Sequence, residues 1–132
     1  MSGVREVIRY LLWRTGCIHP FRASRILALA ELRHLEDRGS RMTSVKYVSG
    51  PGTFFIEGLK ELVEEDDCIS KREGDPEKGV KGCIEYTCGR EPVLDEEVKQ
   101  YIDRAVEEAL GEDDFSLNNR VMSHPLFKSI AS

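Results

Sequence analysis

Apolar residues recur at helical spacing from the start of the chain. Val4, Val7, Ile8, Leu11 and Leu12 share one face while Arg5 and Arg9 lie on another, which predicts a helix over residues 3–14 with Gly16 as its stop. Pro20 suits the first turn of a second helix, where its missing N–H has no partner to lose. Ile26, Leu27, Ala30 and Leu35 give that helix a buried stripe and Gly39 closes it, so the two helices form an αα-hairpin. Residues 44–48 are β-branched and aromatic and read as an extended arm. The arm runs into Gly50-Pro51-Gly52, and a third helix is predicted over 53–65. Its apolar side holds Phe55, Leu59, Leu62 and Val63, and Glu57, Lys60, Glu61 and Glu64 lie opposite.

Residues 68–72 and 82–87 flank a polar turn rich in Gly, Asp, Pro and Lys, the pattern of a β-hairpin. Asp95 can cap a helix over 95–110 whose core stripe is Val98, Tyr101, Ile102, Ala105 and Ala109. A short helix follows from Ser116 to Met122, before Pro125. The expected fold class is α+β and mainly helical. Three helices then a β-hairpin give a winged-helix-like order, with two C-terminal helices appended, all in one domain spanning residues 1–132.

Composition narrows this picture. Hydrophobic residues make up 40% and charged residues 33% of the 132, which fits a globular chain and excludes a disordered one. The longest apolar N-terminal stretch, Ile8 to Trp13, is interrupted by Arg9, and no cleavage site follows, so a cytoplasmic location without membrane insertion is expected. The net charge of −5 is unevenly placed: residues 1–50 carry nine Lys/Arg against four Asp/Glu, and the remainder ten against twenty. Either the opposite charges pair across the fold, or Arg5, Arg9, Arg14, Arg22 and Arg25 form a basic patch for a partner or for nucleic acid.

Chemistry at the glycine corner is poorly supported. A phosphate loop needs a Lys-Ser/Thr pair heading its helix, and here Phe54 and Phe55 stand there; Pro51 also removes a backbone donor. The simpler reading is a structural corner: Gly50 and Gly52 permit unusual dihedrals, Pro51 stiffens the bend, and Thr53 caps the helix. Cys17-x-His19 and Cys83-x₄-Cys88 do not make paired zinc knuckles, so no metal and no cofactor are expected. Cys68 and Cys83 fall roughly opposite each other in the predicted hairpin, either as a disulfide or as two small core residues. His19 and His124 precede prolines, His34 lies in a charged stretch, and no nucleophile motif is present, so the chain is not expected to be an enzyme. Winged-helix docking on DNA is disfavoured because the third helix offers Lys60 alone against Glu57, Glu61, Glu64 and Glu65.

The stretch FRASRILALAELRHLEDRGSRMTSVKYVSGPGTFFIEGLKEL resembles the core of the Panacea domain, the SocA-like antitoxin family. Arg25-Ile26-Leu27 stands where the family has Lys-Leu-Leu, and Thr43, Tyr47 and Gly50-Pro51 fall at matching places. The chain departs at Leu29 or Ala28, where the family has Tyr, and at Ser49, where His or Tyr is common. LDEEVKQYIDRAVEEALGEDDFSLNNRVMSHPLF is similar to the family's closing helices. The resemblance implies a non-catalytic domain that neutralises a toxin-like partner protein or presents it to a protease. A homodimer is compatible with that role, and nucleic-acid binding is the alternative.

Overall fold

The computed structural model describes residues 1–132. Two helices open it, α1 (Val4–Thr15) and α2 (Pro20–Arg38). His19 caps α2 by accepting from the Phe21 N–H, Pro20 occupies its first turn, and Gly39 ends it in the left-handed conformation. Helix α2 is the spine of the molecule. Every residue from Ala23 to Leu32 is buried, Ser24, Arg25 and Glu31 included, because α4 (Glu96–Ala109), α5 (Asp114–Met122) and α1 cover it from several sides. Twenty-nine buried apolar residues form one contiguous core around it.

The α+β, mainly helical class holds, and the order of three helices, a hairpin and two helices is present with a second hairpin inserted. The predicted third helix is the main correction. Residues Tyr47–Gly50 (β1) and Thr53–Ile56 (β2) pair antiparallel, with Gly50 opposite Thr53 and Pro51-Gly52 as the two-residue turn. Pro at the first central position and Gly52 at φ +71° match a type II turn. Thr-Phe-Phe-Ile is β-branched and aromatic, and strand alternation sends Phe54 and Ile56 into the core while Phe55 stays 59% exposed. Thr53 therefore lies in a strand and caps no helix. Gly58, at φ +80°, redirects the chain into the short α3 (Leu59–Glu65).

The second hairpin forms as expected from β3 (Ile69–Arg72) and β4 (Cys83–Tyr86). Its register refutes the Cys68–Cys83 pairing. Cys83 stands opposite Arg72, because the turn between them carries its own 3₁₀ segment, Pro76–Lys78, and centres further along than Asp75-Pro76. Ile18 pairs with Ile84 on the other edge of β4 and brings Cys17 to Cys83, and Cys68 bonds to Cys88. No helix is long and apolar enough to cross a membrane.

Candidate functional site

An apolar groove of about 330 Å³ opens where the start of α2, strand β2, helix α3 and the second hairpin converge. Phe21 and Phe55 flank it, Leu59 and Val63 of α3 form one wall, and Ile84 of β4 lies behind. The strand carries Phe55 outward and the Gly58 turn sets Leu59 and Val63, one helical turn apart, on the same side. Lys60, Lys71 and Glu64 also line it.

Arg25 reaches the groove from beneath while only 1% exposed. Its guanidinium lies 3.7 Å from the Phe21 ring centroid and 3.9 Å from that of Phe54. It donates to Asn118 Oδ1, Ser24 Oγ, the Phe54 carbonyl and Thr53 Oγ1 at 2.9–3.0 Å. All four acceptors are neutral. Burial lowers its pKa to about 10, only partly opposed by the charge of Asp114, which is itself paired with Arg22 and Lys81. Aromatic rings on a guanidinium recover some of the lost hydration, yet the groove still rests on a cation without a bonded anion.

The five arginines expected as a basic patch are distributed among separate tasks. Arg9 holds Asp66 in a two-pronged contact at 2.8 Å and Arg5 lies 3.6 Å from the same carboxylate. The Asp66 side chain is fully buried, and those contacts, with the Cys68 N–H, hold its carboxyl below the usual range against the effect of burial. Arg14 pairs with Asp103 at 2.9 Å. Arg22 bonds Asp114 and the carbonyls of Ala109 and Glu112, closing the C-terminal end of α4. Arg25 is buried. The basic first half thus pairs with the acidic second half, and Arg33–Glu108 and Arg38–Glu97 continue the pattern.

The other singled-out residues have local roles. Gly50-Pro51-Gly52 forms the turn, and the Gly52 carbonyl accepts from Asn118 Nδ2 at 3.2 Å. His34 Nδ1 lies 2.6 Å from the Ser40 carbonyl, and His124 Nδ1 accepts from the Leu126 N–H. A second, wider groove lies against Cys68 and Cys88, where Arg5, Arg9 and Arg90 alternate with Glu6 and Glu91, so its charge is mixed. Sequence reading missed the first groove because its walls come from four elements. Phe55, an aromatic destined for the surface once 53–56 is a strand, was the one signal available. Family models, curated proteins and solved structures yield no match to this chain.

Proposed function

We propose that the protein is a non-catalytic interaction domain, of the kind its resemblance to Panacea antitoxins and adaptors implies, and that it binds a partner protein through the groove between α2, β2 and α3. The observation that carries this is Phe55, held 59% exposed beside Phe21, Leu59 and Val63 on rigid elements. Exposed aromatics over a formed apolar groove are the usual anchors of protein recognition. The nucleic-acid alternative is weakened by the ion pairs of Arg9, Arg14 and Arg22 and by the burial of Arg25. A cytoplasmic location fits this reading in a cell whose interior sustains disulfides, as hyperthermophile interiors do.

The test is co-purification from the native host of the wild type and of Val63→Glu, then reconstitution of the complex from two purified proteins. A stoichiometric complex that Val63→Glu abolishes supports the proposal. Recovery of nucleic acid alone, or a complex indifferent to Val63→Glu, refutes it.

A further inference from the structure

We infer that the segment seated in this groove is acidic as well as apolar: a stretch of partner polypeptide that inserts large apolar side chains and sets a carboxylate beside them. The inference rests on the docking reading above and adds the chemistry of the occupant.

Three cations, Arg25, Lys60 and Lys71, line the groove against one carboxylate, Glu64, although the whole chain carries −5. The local charge is therefore opposite to the global one. Arg25 contributes most to this contrast. Its four bonded acceptors are neutral, and Asp114 is committed to Arg22 and Lys81. A charge set under apolar walls is poorly screened by water and salt, so its attraction for an anion at the groove mouth persists. Lys60 and Lys71 are exposed and can turn toward such an anion. Lys71 has only the exposed Glu73, 3.6 Å away, to give up.

The groove's size limits the occupant. A volume of about 330 Å³ takes one or two large side chains, not a folded element, so the rest of the segment lies across the surface. Leu59 and Val63, one helical turn apart, with Phe55 and Phe21, match the spacing of apolar anchors on an amphipathic partner. A basic segment would bring further positive charge to a site that already has an unbalanced one, and would be rejected by repulsion. Charge at the rim mainly selects the partner and speeds its arrival, while the apolar contacts hold it.

The experiment is a selection of random short peptides displayed on phage against the wild-type protein, Val63→Glu and the double variant Lys60→Glu/Lys71→Glu. Circular dichroism checks that each is folded; the lysines are exposed, so the double variant keeps its core. Peptides enriched in Leu, Phe or Trp together with Asp or Glu are expected, failing to bind Val63→Glu and losing roughly ten-fold in affinity on the double variant. Groove-dependent peptides without acidic residues, or undiminished binding to the double variant, would overturn the acidic occupant and leave the docking groove standing. Peptides that ignore Val63→Glu, no selected peptide at all, or self-association of the protein blocked by Val63→Glu would overturn both the acidic occupant and the reading beneath it.

Discussion

At Arg25 a guanidinium between two phenyl rings holds acceptors from α2, β2 and α5 together. Replacing it with alanine would leave the Phe54 carbonyl and Asn118 Oδ1 without the donor they share, beside a new cavity. Arg25→Ala should therefore lower unfolding stability by about 3 kcal/mol or more, and Arg25→Lys by less. Denaturant unfolding reads both, and a loss below about 1 kcal/mol would contradict the structural role. Tyr47 gives the opposite expectation. Its hydroxyl is buried without a hydrogen-bond partner, and burial raises its proton affinity well above that of a free phenol. Tyr47→Phe should be neutral or stabilising by up to about 1 kcal/mol, which the same unfolding curves decide. Asp66 sets a pH dependence. Its folded pKa is depressed, first by the Arg9 hydrogen bonds, so its contribution is complete above the unfolded carboxylate range and disappears as pH falls through the lower folded value. Stability should decline below about pH 4, and Asp66→Asn should flatten part of that decline. The remainder belongs to Glu36, Asp37 and Asp113, whose carboxyls are also held low. Unfolding midpoints across acid pH would show it, and equal slopes for both proteins would contradict it.

Among the elements, the two disulfides brace the hairpin β3–β4 from both sides. Cys17–Cys83 closes a separation of 66 residues and Cys68–Cys88 one of 20. Loop-closure entropy sets upper values of about 4 and about 3 kcal/mol for their removal. Cys17→Ser/Cys83→Ser should therefore destabilise more than Cys68→Ser/Cys88→Ser in thermal unfolding. Non-reducing peptide mapping that joined Cys68 to Cys83 would contradict the register itself. Helices α1, α2 and α4 were readable because each buries a regular stripe or carries clear caps. The hairpin β1–β2 was not. Its Pro-Gly type II turn departs from the primed turns that usually mark two-residue hairpins, and Phe55, Leu59 and Val63 imitate a helical stripe across two elements. The pairing of Cys17 had no local signal, because it depends on Ile18 adding to β4 after the chain has passed through α2, β1, β2, α3 and β3. The groove was illegible for the same reason: its aromatics come from α2 and β2, which sequence places 33 to 34 residues apart, Phe21 against Phe54 and Phe55.

Across the whole molecule, charge is arranged so that the basic first half and the acidic second half satisfy each other. What the fold leaves to the outside is the apolar groove with its local excess of cations. The resemblance made protein binding the expected role, and the groove proposed for it exists only once α2, β2, α3 and the second hairpin assemble. The most direct measurement places a photoreactive phenylalanine analogue at position 55 in the native host, with Val93, exposed just before the N-terminal end of α4, as the control site. A covalent adduct to one protein from position 55, reproduced with that protein purified, absent from position 93 and abolished by Val63→Glu, is the predicted result. No adduct from position 55, or the same adducts from both positions, would contradict the groove as the docking site.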